Sequence, residues 1–188
     1  MNLKRRAYIL APGEMVRPPL LWWLEDHGFD RHRDITFIHE GRGVTLATCT
    51  AIRQALLDRV DMAVFCEHDA IPSARETDSF FTENRYHLQC VKYDTERLHA
   101  FNRFDSFHSL IWRASRATLV AMAEAAKKLG KPLCWEQHSE LGDVGVACHC
   151  QSLVGLAKAA GLSSGWIGNA GHLPKSGSLV PRVVTYGN

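Results

Sequence analysis

The chain has no apolar run approaching the roughly 18 residues that a membrane-spanning helix needs. Its basic start, Lys4-Arg5-Arg6, is followed by too short a hydrophobic stretch before Pro12 and Glu14 to make a good signal peptide. A cytoplasmic location is the expectation from both absences. An excess of charge is missing as well. Lys and Arg number 22 against 20 Asp and Glu, and a formal +2 gives no mandate for a polyanionic partner. The basic cluster at residues 4–6 reads as a solvated tail. With no internal repeat, low-complexity tract or interdomain linker, residues 1–188 read as one domain with one core.

Two further absences narrow the chemistry. Gly41-Arg42-Gly43 lacks the Gly-Lys-Ser/Thr ending of a phosphate-binding P-loop. No two cysteines have two to four residues between them, the spacing of structural zinc sites, so Cys148-His149-Cys150 with Cys134 and His138 does not read as a zinc site, and Cys148 and Cys150 are expected to pack along one face. The six cysteines do not form the dense framework of a small secreted domain. Cys49 and Cys66 fall in a predicted helix and strand, and buried reduced thiols are expected.

What is present is the composition of a soluble globular domain, 46% hydrophobic and 22% charged, in an alternating pattern of strand and helix. Ala7 to Leu10 is a first strand and Ala11-Pro12-Gly13-Glu14 the loop after it. Pro18 and Pro19 open a helix in its first turn, where a missing N–H costs nothing, and Leu20 to His27 continues it to Gly28. Ile35 to His39 is a second strand. Thr45 caps a helix running to about Arg59, with Leu46, Cys49, Ile52, Ala55 and Leu56 on one face. The run Met62 to Cys66 is a third strand, and Leu88 to Tyr93 a fourth. Ser115 starts a helix whose Leu119, Met122, Ala123, Ala126 and Leu129 recur at helical spacing, ended by Gly130. Gln151 to Ala160 is a further helix stopped by Gly161, and Val180 to Tyr186 an edge strand in an irregular tail. The order β-α-β-α-β with short connections implies a parallel sheet covered by helices.

The densest chemistry lies where the third strand ends. Glu67 and Asp69 stand at its carboxyl end, the place where open α/β sheets present ligand-binding loops. Two carboxylates one residue apart there could hold a divalent cation and, through it, a diphosphate. The competing reading is a solvated turn.

From about Ala7 to His172 the chain resembles the nucleotide-sugar glycosyltransferases with the GT-A fold. The stretches that carry the likeness are Tyr8-Ile9-Leu10-Ala11-Pro12, Val64-Phe65-Cys66-Glu67-His68-Asp69, Glu140-Leu141-Gly142-Asp143 and Asn169-Ala170-Gly171-His172. In that family the first strand and its loop contact the nucleotide. An Asp-x-Asp-type motif ends a later strand, an acid opens a later helix, and many members add a late His as metal ligand. Here Glu67 stands for the usual first Asp, Thr48-Cys49 for a frequent Arg-Asn, and the later acids are spread over Glu140 and Asp143. The resemblance implies a single GT-A-like (Rossmann-like) α/β domain with a mostly parallel central sheet flanked by helices.

It also implies roles. Asp69 would ligate Mn²⁺ or Mg²⁺ with His172 as second ligand, and Glu67 would contact the ribose or a metal-bound water. Ala11, Pro12, Glu14, Arg17, Glu67 and His68 would line the nucleotide, Arg17 as a bidentate phosphate partner. Asp143, or failing it Glu140, would be the general base on the acceptor hydroxyl, with inversion favoured over retention. Each acid could instead simply favour a helix start through the dipole. The donor would be a nucleoside-diphosphate sugar. The acceptor class stays open among glycan, lipid carrier, protein and modified nucleic acid, and nothing in the sequence fixes an oligomeric state. Two rival expectations are a nucleotidyltransferase on a similar sheet and a non-catalytic nucleotide-binding or interaction domain. Cysteine catalysis through Cys49 or Cys66 has no local signature. Trp135 and the stretch Asn102 to His108 are candidate substrate-lining residues, whereas Trp22 and Trp23 are expected to pack on the sheet.

Overall fold

The computed structural model describes residues 3–11, 16, 18–41, 43–68, 70, 78–91, 110–135, 137–138 and 147–167. Strand β1 (Arg5–Leu10) is followed by α1 (Pro18–Asp26), β2 (Ile35–Ile38), α2 (Val44–Asp58) and β3 (Met62–Glu67). Next come α3 (Asp78–Thr82), β4 (Leu88–Val91), β5 (Ile111–Ser115) and α4 (Arg116–Lys128). The short strands β6 (Gln137–His138) and β7 (Ala147–Cys148), then α5 (His149–Ala159) and β8 (Ser164–Ile167), complete the described elements. Six strands form one sheet in the order β2-β1-β3-β5-β4-β8, and β6 and β7 form a separate antiparallel ribbon. β5 runs against both its neighbours, while the other adjacent pairs are parallel. The expected mostly parallel α/β sheet is present, with one reversed strand.

Side-chain alternation divides the core into two layers, as the period-two geometry of strands requires. Tyr8, Leu10, Ala63, Phe65, Trp112 and Ala114 face α2, α4 and α5. Ala7, Ile9, Val64, Cys66 and Ile111 face α1 and, through Phe80, α3. The three central strands carry a ring ladder in register: Tyr8 lies opposite Phe65, and Phe65 opposite Trp112. Their centroids are 5.5 Å and 4.0 Å apart and the planes are nearly parallel. All three side chains are fully buried.

The Tyr8 hydroxyl donates to Asp58 Oδ2 at 2.8 Å, on the carboxylate that also takes Arg6 Nη1 at 2.8 Å and, on Oδ1, Gln54 Nε2 at 2.8 Å. Lys4 Nζ closes on the Asp58 carbonyl at 2.6 Å. The cluster Lys4-Arg5-Arg6 is therefore not a solvated tail. It ties the start of β1 to the end of α2, while Arg5 stacks 5.0 Å over the Phe29 ring.

Several expected details differ. The N-cap of α2 is Gly43 at φ 103, not Thr45, which falls inside the helix. Ser115 does cap α4, accepting from the Thr118 N–H, but Leu129 is exposed because it lies beyond the last helical turn. Cys148 ends β7 while His149 and Cys150 begin α5, so these residues do not share one strand face. Trp23 is buried as expected, whereas Trp22 points outward, 59% exposed. Cys49, Cys66, Cys90, Cys134 and Cys150 are buried thiols that form no disulfide. The tail strand expected over residues 180–186 lies outside the described residues.

Helix α3 and strand β5 had no counterpart in the sequence reading. A five-residue helix does not stand alone in water. This one is held by burial of Phe80 and by hydrogen bonds to its last carbonyls. Gln89 Nε2 donates to Phe80 O at 3.1 Å and to Glu83 O at 2.9 Å. The Arg113 guanidinium donates to Glu83 O and to Asn84 Oδ1, and lies 5.5 Å over the Phe80 ring. Arg113 is 5% exposed, and burial pushes its pKa down to about 10.

Burial works to raise the Asp58 carboxyl, but the hydrogen bonds from Tyr8, Gln54 and Arg6 outweigh it and hold the group below the ordinary carboxylate value. Because the folded-state pKa is lowered, this contribution to stability is present above about pH 3.9 and is lost as the pH falls through the lower folded value. Asp58→Asn is expected to cost about 1–3 kcal/mol at neutral pH. In urea unfolding followed by circular dichroism, the gap between variant and parent should close below pH 4 and stay constant above it.

Candidate functional site

The order of strands puts a topological switch at β1. The chain leaves β1 through α1 on one face to reach β2 on one side, then crosses through α2 on the opposite face to β3 on the other side. The connections after β1 and β3 thus diverge, and it is outside the carboxyl ends of strands at such a switch point that open α/β sheets take their ligands. Leu10 of β1 pairs with Glu67 of β3 at that end. The ladder continues one step further, with the His68 N–H donating to Leu10 O at 3.0 Å. On the other side of β3, the Glu67 N–H donates to Leu110 O at 2.9 Å. Ala70, whose N–H donates to Glu67 O at 3.1 Å, is buried against the α1 layer.

Glu67 and His68 are half-buried, at the boundary between sheet and solvent. The Cys66 thiol just inside is pushed up, first by burial and then by the Glu67 charge, which leaves it a poor nucleophile. Cys49 is likewise buried, its thiol donating to Cys134 O at 3.4 Å. Trp112, inside the core, is unavailable to a ligand, whereas Trp135 is half-buried with Lys131 5.9 Å over its ring.

The same end of the molecule gathers the ends of the other candidate segments. Ala11, its N–H on Ile38 O at 3.0 Å, leads into the loop that holds Pro12, Glu14 and Arg17. β8 is parallel to β4 and ends with Ile167 opposite Val91, so the chain departs toward His172 from this rim. α2 begins at this rim after β2, and its Cys49 contacts the Cys134 carbonyl just before β6. The ribbon that follows pairs His138 with Ala147, and Glu140 and Asp143 fall between these two residues in the chain. Pro12, Glu14, Arg17, Asp69, Glu140, Asp143 and His172 themselves lie outside the described residues, as does the stretch Asn102 to His108. Ala11, Glu67 and His68 are the candidates that the described structure brings together. Among the described residues, no three His, Cys, Asp or Glu side chains converge as a metal site.

Two features of the rim escaped the sequence reading. His39, just beyond β2, has its Nδ1 3.2 Å from Ala11 O and its ring stacked with Phe37 at 6.3 Å. The signal available was a histidine at the end of the strand that pairs with β1. The second feature is a disproportion. β4 and β5 are antiparallel neighbours, Cys90 opposite Trp112, yet residues 92–109 separate Val91 from Leu110. Roughly two to five residues would close such a hairpin.

No family model matches the chain, and no curated protein matches it. Among solved structures it is similar to one titled "Crystal Structure of A197 from STIV", with a TM-score of 0.54 and 13% identity over 88% of this chain and 82% of that one. The likeness is one of fold. No described helix is long and apolar enough to cross a membrane.

If residues 92–109 serve the rim rather than the core, replacing them with a short Asn-Gly turn should leave the melting temperature within about 3 °C of the parent. Loop closure changes by only ~0.6 kcal/mol per doubling of length. Ligand binding at the rim should be lost in the same variant, as read by calorimetry.

Proposed function

We propose that this protein is a GT-A-type glycosyltransferase that moves a sugar from a nucleoside-diphosphate donor to an acceptor hydroxyl. The observation that carries the reading is the position of Glu67 and His68: they end the strand beside β1 at the switch point, with Asp69 next in the chain. A diphosphate held there would lie against the rim at which β1 and β8 end, before Arg17 and His172 in the chain. The nucleotidyltransferase alternative is less well supported, because Ala11-Pro12-Gly13-Glu14 offers little of the Gly-rich basic loop it would want after β1.

The donor set at this corner suits Mn²⁺ or Mg²⁺. Glu67 is a hard oxygen donor, half-buried at the strand end, and such cations need only one or two carboxylates in addition to substrate phosphates. Asp69 and His172 would be its protein ligands, Glu67 holding the ribose or an ion-bound water. When bound, the ion would neutralise charge on the departing diphosphate as a Lewis acid. Asp143, or Glu140 in its place, would take the proton from the acceptor hydroxyl as that oxygen attacks the anomeric carbon from the face opposite the leaving group. Arg17 would orient the phosphates and Ala11 would set the floor under the nucleotide. Burial of the two layers beneath the rim gives these groups a rigid base.

Two substitutions separate binding from turnover. Thermal melts with Mn²⁺ and a nucleoside diphosphate at about 100 times its Kd should show about 2.7 kcal/mol of added stability, a rise of roughly 5–10 °C. Asp69→Ala should abolish that metal-dependent rise while leaving the unliganded melt unchanged. Asp143→Asn should keep the rise and reduce donor turnover by about 10²–10⁴-fold. Full turnover in Asp143→Asn removes that residue from the base role. A complete lack of donor hydrolysis by the parent chain favours the non-catalytic binding domain.

A further inference from the structure

The formal charge of +2 conceals an uneven distribution. At the amino end of the sheet three segments are stitched into one corner. The Lys4 N–H donates to Asp61 Oδ2 at 2.8 Å, the Asp61 N–H to Lys4 O at 2.8 Å, and the Arg116 N–H to Asp61 O at 3.0 Å. Lys4 Nζ reaches the Asp58 carbonyl at the end of α2. These bonds gather Lys4, Arg59 and Arg116 around one acid, Asp61, and all four residues are exposed. Nearby, Arg6 and Asp58 neutralise each other. Among the described residues, no carboxylate forms an ion pair with the side chain of Lys4, Arg59 or Arg116. The corner is cationic on balance.

Two further features mark it. Large aliphatic side chains stand beside the cations: Leu3, next to Lys4, is 54% exposed, and Leu57, two residues before Arg59, is 75% exposed. Val120, one turn from Arg116 on the same face of α4, is exposed as well. The other feature is in the backbone. Arg59 caps α2 at φ 52 and is the one non-glycine among the described residues with positive φ. After α1, α4 and α5 that region is taken by Gly28, Gly130 and Gly161. An arginine at such a cap forgoes the relief that glycine brings, and it keeps a charge at the corner.

We propose that this corner docks the protein on an anionic lipid bilayer, with Lys4, Arg59 and Arg116 against acidic headgroups and Leu3 and Leu57 entering the headgroup boundary. Interfacial anchors combine these two elements, cations and aliphatic side chains on one surface. Each Lys or Arg near an anionic leaflet is worth about a factor of five in partitioning, so three give about 100-fold. A single-stranded nucleic-acid groove would set aromatic rings among its cations to stack on bases. The exposed apolar residues here are aliphatic. β1 and β3 run from this corner to the rim, so Glu67 faces away from the docked bilayer. The docking uses none of the rim groups and stands apart from the sugar-transfer reading.

The test is co-sedimentation of the full chain with phosphatidylcholine vesicles that contain or lack phosphatidylserine. Binding should be at least about 10-fold tighter with phosphatidylserine and should weaken as salt rises. Arg59→Gly should weaken it about 5-fold, while the melting temperature holds or rises because glycine relaxes the cap. A purely structural Arg59 would show the reverse, a lower melting temperature with vesicle binding intact. Leu57→Ser should weaken vesicle binding several-fold and leave the melt unchanged. Failure to bind the anionic vesicles overturns the proposal, as does binding that survives Arg59→Gly combined with Arg116→Gln. Equally tight binding to a DNA duplex overturns it in favour of a nucleic-acid face. A dimer in sedimentation velocity that Leu57→Ser dissociates, with no vesicle binding, assigns the corner to a second copy instead. Nucleotide binding at the rim is measured separately, and its loss or presence leaves this result unchanged.

Discussion

Three rings across three strands set the register on which the rest depends. Tyr8, Phe65 and Trp112 occupy equivalent positions on β1, β3 and β5, and each is fully buried on the same layer. A slip of one residue in any of these strands would turn a ring out of the α2, α4 and α5 layer and an alternate residue in. It would also move Glu67 off Leu10 and Leu110, which dismantles the corner at the strand ends. The register that fills the core is thus the register that places the acid.

The two ends of the sheet are built differently. At the amino end the chain is stitched: Lys4 N–H donates to Asp61 Oδ2 at 2.8 Å, Arg116 N–H to Asp61 O at 3.0 Å, and Asp58 gathers Tyr8, Arg6 and Gln54. At the carboxyl end the described contacts are main-chain extensions of the ladder, together with the His39–Ala11 bond. Hydrogen bonds to Asp58 and Asp61 hold the amino end, and main-chain ladder bonds hold the described carboxyl end. That division is what a rigid scaffold under a binding face requires.

Much of the fold could be read from the residues. β1 and β3 announce themselves as short continuous apolar runs, α2 and α4 by apolar residues at helical spacing and α5 by its stop at Gly161, and the polar residues after Cys66 mark the end of β3. The failures have physical causes. Ile111–Ser115 is short, carries Arg113 at a buried position, and pairs with strands remote in sequence, so no local pattern reveals it. α3 is five residues long and is made by tertiary contacts to Gln89 and Arg113 rather than by propensity. Lys4-Arg5-Arg6 resembles a tail because its partners, Asp58 and Phe29, are far along the chain. At the site, Glu67 and His68 were legible from their place at a strand end. His39 was not, since its significance comes from the neighbour that β1 supplies.

Arg113 carries a consequence for motion. Its charge is buried against the Glu83 carbonyl, the Asn84 amide oxygen, the Met62 sulfur and the Phe80 ring, and its Nε has no hydrogen-bond partner among the described residues. Neutral partners offset the loss of hydration less fully than a carboxylate does. Detaching α3 would return that cation to water, so this helix is the natural unit of local unfolding, with amide exchange protection well below that of the sheet. The sheet would keep its geometry while α3 opens and closes over it.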